Sequence, residues 1–172
     1  MKFIREARLS VEKTLKDHFE NVANWNPAFN IYSVEDMDSI SSALTRPFIF
    51  IIDSYIMFEM KHLPTIVIEC NVGLDVIGLS EKASNCDLQL NIFGRSRGER
   101  DDIAGDIIEN ITAIKIYDFD PTVPVLAETQ NLIAANGSRI WEHGNQDITT
   151  SVAIEETLGN WSVLSSRFLM NI

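Results

Sequence analysis

Histidine, cysteine and basic side chains are scarce in this chain, and each shortage removes a class of function. Its 172 residues include three histidines and two cysteines. His18, His62 and His143 stand 44 and 81 residues apart, and no C-x-x-C or H-x-x-x-H pair occurs, so nothing has the spacing of a zinc site. Lys and Arg number 14 against 25 Asp and Glu, for a formal charge of −11. Sequence-independent DNA binding needs clustered cations on phosphate, which this balance excludes; a surface that DNA passes without sticking is compatible with it. The most apolar stretch, Phe48 to Met60, is broken by Asp53 and Glu59 and falls short of the ~20 apolar residues that cross a bilayer. The first 20 residues are charged throughout and have no apolar core of signal-peptide type. The expectation is a soluble, cytosol-made protein with no membrane contact. Cys70 and Cys86 are then read as buried thiols, although adjacent strands could bring them face to face. Three N-x-S/T triplets, at Asn110, Asn136 and Asn160, read as accidents of composition.

What is present is enough apolar material for a core. Hydrophobic residues make up 45% of the chain, which excludes a wholly disordered one. A domain of this length buries roughly 70% of its unfolded surface and needs no disulfide or metal. No linker, internal repeat or low-complexity tract interrupts it. One α+β domain over residues 1–172 is the reading.

The opening segment is helical in pattern. Ile4, Ala7, Val11, Leu15, His18/Phe19 and Val22 recur every three or four residues. The first 20 residues hold five basic and four acidic side chains spaced for i,i+4 pairs, which leaves a net −12 in the remaining 152. The helix should end near Asn24–Pro27, because the residue before proline resists the α region. Phe29, Ile31 and Ser33 suggest a short strand, and the acidic run Glu35 to Asp38 reads as a loop or helical turn. One strand or two should lie across Phe48–Met60.

The middle of the chain alternates clearly. Ile66, Ile68 and Cys70 share one face; Leu88, Leu90 and Ile92 point inward, and Asp87, Gln89 and Asn91 outward. Such alternation belongs to a sheet with one wet face, usually antiparallel. The sixteen residues between, Asn71 to Cys86, extend the strands as a protruding hairpin. Ser96-Arg97-Gly98-Glu99 fits a capping box, with the Glu99 carboxylate returning to the Ser96 amide, and Ile103, Ile107, Ile108 and Ile111 form the buried stripe of the helix it opens. Ile114 to Asp120 returns to strand. Further strands are expected around Arg139–His143 and Ser162–Met170, with a strand or helix near Val125–Ala134. Asn136-Gly137 and His143-Gly144-Asn145 are turn signals.

Local chemistry is sparse. Gly94 to Arg100 lies between strand and helix, where phosphate loops occur, but it lacks the Lys-Ser/Thr of a P-loop. Arg95, Arg97 and Arg100 at the positive helix end either hold an anion or pair with first-turn acids or a neighbouring subunit; the second is favoured. The pairs Asp36/Asp38, Asp101/Asp102 and Asp118/Asp120 sit in turns or at element ends, where Asp caps and solvates. His18 reads as a packing residue at a helix end. No catalytic residue, cofactor or metal is assigned.

The order of features from Leu63 to Asp120 is nevertheless distinctive. The strand Leu63-Pro64-Thr65-Ile66-Val67-Ile68-Glu69 precedes a glycine-containing hairpin. A strand ending Ile92-Phe93-Gly94 follows, then Arg97-Gly98-Glu99-Arg100-Asp101-Asp102-Ile103-Ala104 opening a helix, then Ile116-Tyr117-Asp118-Phe119. This order resembles the tail-terminator and neck (head-tail joining) proteins of tailed bacteriophages, closely over about a third of the chain and loosely over most of it. The resemblance implies a twisted, mainly antiparallel sheet with the N-terminal and second helices on one face. It also implies a homo-oligomeric ring, usually a hexamer, that caps the tail tube and joins it to the neck or connector. Such a protein is made in the host cytoplasm and resides in the virion. DNA passes the lumen of such a ring without specific binding, and an acidic wall suits that passage. Hairpin loops make subunit contacts in that family, which nominates Val72, Gly73, Leu74, Asp75, Val76, Ile77, Gly78 and Leu79, with Arg95, Arg97 and Arg100, as interface residues. A neck adaptor or stopper is the nearest sibling. A small acidic enzyme using the Gly94–Arg100 turn, and an interaction module with no virion role, are the readings from other classes.

Overall fold

The computed structural model describes residues 2–21, 25–28, 31, 33–43, 48–52, 58–76, 82–111, 113–115, 117–122, 132–133, 140–150 and 160–171. The first helix, α1 (Lys2–Asn21), forms where the periodicity puts it. Ala7, Val11, Leu15 and Phe19 are buried along one stripe, and Arg8–Glu12, Lys13–Asp17 and Lys16–Glu20 pair one turn apart on the flanks. The chain then enters β1 (Asn26–Ala28), a three-residue edge strand that accommodates Pro27, since an edge leaves one side of the ladder without need of a donor. This corrects the expected strand at Phe29–Ser33. Ile31 and Ser33 lie outside any strand, while Phe29 and Asn30 fall outside the described residues.

Of the two readings of the acidic run that follows, loop or helical turn, the helical one holds. Ser33 Oγ accepts from the Asp36 amide (3.2 Å) and donates to the Asp36 carboxylate (2.9 Å), and this cap opens α2 (Val34–Ala43). Glu35 and Asp36 occupy its positive first turn. Met37, wholly buried, and Ile40 carry its short apolar face.

β2 (Phe48–Ile52) pairs in parallel with both β1 and the base of β3 (Thr65–Val76). Its residues Ile49 to Ile52 are all buried, because helices cover both faces of the sheet here. β3 forms a long antiparallel ladder with β4 (Lys82–Gly94), from Thr65↔Phe93 to Val76↔Lys82. α3 (Arg97–Asn110) follows, then β5 (Ala113–Lys115), β6 (Asp118–Phe119), β7 (Leu132–Ile133), β8 (Ile140–Thr150) and β9 (Asn160–Asn171). The strand expected from Ile114 to Asp120 is therefore two: β5 joins the main sheet, and β6 pairs with β7 in a sheet of their own. Of the segment Val125–Ala134, left open as strand or helix, Leu132–Ile133 is strand β7; residues 125–131 and 134 lie outside the description, as do Asn136 and Gly137.

The main sheet has the order β1-β2-β3-β4-β9-β8-β5, antiparallel throughout except at β1–β2 and β2–β3. The expected mainly antiparallel α+β fold is present. α1 and α3 pack on one face, where Ile66, Ile68, Leu88, Leu90 and Ile92 meet Val11, Leu15, Phe19, Ile103 and Ile107. α1 packs against β1, β2 and β3 near one edge and against β5 at the other, so the sheet curls around it. The opposite face is covered at its β2 end by α2 and Phe58. Asn91, expected to face water, is fully buried on this second face, donating to Glu69 (3.2 Å) and accepting from Gln89 (3.4 Å). His143-Gly144-Asn145 is a bulge inside β8 rather than a turn: His143 pairs with Phe168 and Asn145 with Arg167, leaving Gly144 as the extra residue.

Candidate assembly surface

Residues nominated from sequence fall into two groups, and β4 separates them. Val72, Gly73, Leu74, Asp75 and Val76 lie on the outer half of β3, in register with Cys86, Asn85, Ser84, Ala83 and Lys82. Ile77, Gly78 and Leu79 lie outside the described residues. The second group surrounds the turn after Gly94, at the other end of β4. Eight to twelve residues along β4 at ~3.3 Å each put the two groups roughly 26–40 Å apart. They do not converge on one site.

On β3 Ile68 is buried and Glu69 and Cys70 are half-buried; on β4 Leu88 is buried and Asp87 exposed. Six more backbone pairs follow, from Asn71↔Asp87 to Val76↔Lys82. β9 accompanies β4 along this whole length, from Ala83↔Asn171 to Gly94↔Asn160. Cys70 carries a reduced thiol; the register sets it opposite Leu88, and Cys86 opposite Val72.

At the other end, Gly94 makes the close approach that lets α3 begin. A Cβ there would sit 2.9 Å from the Arg100 amide nitrogen and 3.0 Å from the Ser96 carbonyl oxygen, inside normal contact. Ser96 Oγ accepts from the Glu99 amide at 3.1 Å, as the capping box requires. The return half differs from expectation. The Glu99 carboxylate accepts from the Arg95 amide (2.7 Å) and from the Arg95 guanidinium (2.5 Å), not from the Ser96 amide. One carboxylate thus neutralises both a cation and the positive helix end, and it holds the Arg95 guanidinium above its usual range. Arg100 is 5% exposed and donates to Asp101 through Nε (2.9 Å) and a terminal nitrogen (2.6 Å). Arg97 is exposed. The turn's own acids therefore take the place an anion would fill.

His18 and His62 are structural fasteners, and the second escaped sequence reasoning. His18 Nε2 bonds Asp106, tying α1 to α3. His62, in the 3-10 turn Met60–His62, is fully buried. Its Nδ1 accepts from the Glu59 amide (2.9 Å), which puts the hydrogen on Nε2, and Nε2 faces Asp38 of α2 at 2.6 Å. With both nitrogens committed, the ring is unavailable for general acid–base work. Lys61 also reaches Asp38 (2.8 Å), and the hydrogen bonds from Lys61 and His62 hold the Asp38 carboxyl below its usual range while Lys61 is raised. No local motif announces this node, because Asp38 and His62 are 24 residues apart.

A second polar fastener joins α1 to the segment after β5. Ser10 Oγ accepts from the Tyr117 amide (3.0 Å) and the buried Glu6 carboxylate accepts from the Phe119 amide (3.1 Å). Arg5 lies 5.0 Å over the Phe119 ring and Lys13 5.5 Å over that of Tyr117.

Within the acid pairs, Asp36 bonds Ser33, Asp38 bonds His62 and Lys61, Asp101 bonds Arg100, and Asp120 bonds the Thr122 amide and hydroxyl. Among the described residues no group of three or more His, Cys, Asp or Glu side chains is placed to hold a metal ion, and no helix is long and apolar enough to cross a membrane. No protein-family model matches the chain, and no curated protein matches it.

Proposed function

We propose that this chain is a virion structural protein of a tailed bacteriophage, a tail terminator whose copies form a ring that caps the tail tube and meets the neck. The observation that carries the reading is the β3–β4 ladder, which extends six residue pairs beyond Cys70↔Leu88 at the place where the resemblance puts subunit contacts. A cyclic ring is built from heterologous contacts, each subunit using two different patches. The outer part of β3 is one such patch. The net charge of −11 fits a lumen that lets DNA through, since a wall of like sign repels phosphate. The part is mechanical and needs no cofactor. Glu99 and Asp101 already satisfy Arg95 and Arg100 in the turn that an enzyme reading would use.

Mass measurement of the purified protein, together with its detection in purified particles, tests the reading. The expected result is a ring of about six subunits, against roughly twelve for a neck adaptor. A monomer at every concentration, absent from particles, would sink it.

A further inference from the structure

Two edges of the main sheet are guarded and two are not. β1 carries Pro27 and β5 is three residues long, both ordinary ways of blunting an edge. Elsewhere the edge is bare. β2 pairs with β3 only over Thr65–Val67, so over Asn71–Val76 the one strand paired with β3, among the described residues, is β4. At the other side of the sheet β5 pairs with β8 only over Ile140–Glu142, so over Asn145–Thr150 the one strand paired with β8, among the described residues, is β9. Each such run is six residues long. Each carries one charge, Asp75 or Asp147, the second run follows the Gly144 bulge, and neither contains a lysine or a proline. Edge rows of amides and carbonyls with so little to guard them are a template for strand addition.

We infer that the partner is a second copy of this chain, and that its Asn71–Val76 edge adds to the Asn145–Thr150 edge of the first. The inference deepens the ring reading above and rests on it. Three features of the topology favour this occupant. First, β3 and β8 run in opposite directions within a subunit, as the three antiparallel steps β3–β4–β9–β8 require. Copies in the same orientation therefore join by an antiparallel pair, like every other pair in this part of the sheet. Second, the bare runs lie at diagonal corners. Following the register across the sheet, Asn145 is level with Asn71 and Thr150 with Ile66. Full overlap, Asn71 with Thr150 and Val76 with Asn145, needs the next copy displaced by five residues, and that displacement keeps β2 and β5 clear of the junction. Third, this displacement matches what closure demands. Five residues are roughly 17 Å and four strands span roughly 19 Å, giving a strand tilt of about 40°, within the ~35–45° of closed sheets. The contact is heterologous, so it propagates around a ring rather than stopping at a dimer.

Cysteine pairs across the junction test this in a background where Cys70 and Cys86 are replaced by serine. Leu74 should face Asp147, and Asp75 should face Gln146. The doubles L74C/D147C and D75C/Q146C together sample both kinds of antiparallel pair. Mild oxidation should convert at least one of them to a multi-subunit ladder on a non-reducing gel. Mixing the two single variants of that pair should give covalent dimers only, and either single variant alone should give none. Far-ultraviolet dichroism of each variant confirms that it folds. Oligomers of unchanged mass with no cross-link in either pair would overturn the strand junction and leave the ring standing. A monomer at all concentrations, and no copy in particles, would remove both. Cross-linking of D75C or L74C alone would overturn the heterologous pairing in favour of a two-fold one. Slow exchange in the dilute monomer of those Asn71–Val76 amides that point away from β4, and not only of the alternate ones bonded to it, would overturn the bare edge itself.

Discussion

The sheet has two halves that share strands but not support. At the β1–β2 end, Ile49 and Ile51 face α1 and α3 while Phe50 and Ile52 face α2, Leu63 and Phe93, so each strand residue is covered on its own side. Beyond Cys70 and Asp87, the ladder is held by pairing of β3, β4, β9 and β8 along their length. The first half owes its stability to burial, which is local to the subunit. The second is an extended ribbon of paired strands. On the proposal above, folding belongs to one end of β3 and assembly to the other.

The contrast can be broken at several points. Ile66→Ala, in the supported half, should cost about 2–5 kcal/mol in urea unfolding through lost burial and a residual cavity; a loss no larger than that of a surface substitution would dissolve the distinction. Glu6→Ala should cost about 1–3 kcal/mol, because the Phe119 amide loses its acceptor in a buried place. A neutral result would mean that water replaces the carboxylate. Ser96→Ala should cost about 1 kcal/mol through the lost cap, and unchanged thermal stability would show that Glu99 alone starts α3. Acid should loosen α2 selectively. The Asp38 carboxyl is lowered first by Lys61 and then by His62, so its contribution is complete above the ordinary carboxylate range of about 3.9 and is lost as pH falls through its lower folded value. Amide exchange in α2 that rises no faster than in α3 over that window would argue against the latch. The smallest effect on stability belongs to the ribbon. Deleting residues 74–80 should change unfolding free energy by within about 0.5 kcal/mol, as for surface changes, yet abolish ring formation. A large loss of stability would show that the ribbon supports its own subunit.

Much of the supported half was legible in the sequence, because its signals are local and repeated. The stripe from Ala7 to Phe19, the alternation Leu88-Leu90-Ile92 and the Ser96–Glu99 cap each name their own element. α2 was harder to read: its apolar face is only Met37 and Ile40, set among acids and serines, although Ser33 and Asp36 have capping spacing. Asn91 was assigned to water because alternation identifies a face without saying what covers it. The return bond of Glu99 went to Arg95 because that residue offers a guanidinium as well as an amide. His143-Gly144-Asn145 has the composition of a turn, and only pairing with β9 makes it a bulge. For the candidate surface, the position of the hairpin was readable, but the bare edges were not. They depend on where β2 and β5 stop, which is a property of register between distant segments.

The fastening of α1 has a consequence for the order in which the chain can mature. Ser10 and Glu6 find their partners 107 and 113 residues later, at Tyr117 and Phe119, and His18 finds Asp106 88 residues later. During synthesis these polar groups of the first helix therefore stay hydrated until Asp106 and then Tyr117 and Phe119 have been made, after β1, β2 and β3, which pack against it. Contacts of such long separation slow folding, since a large loop must close before they form. The helix is covered early and fastened late.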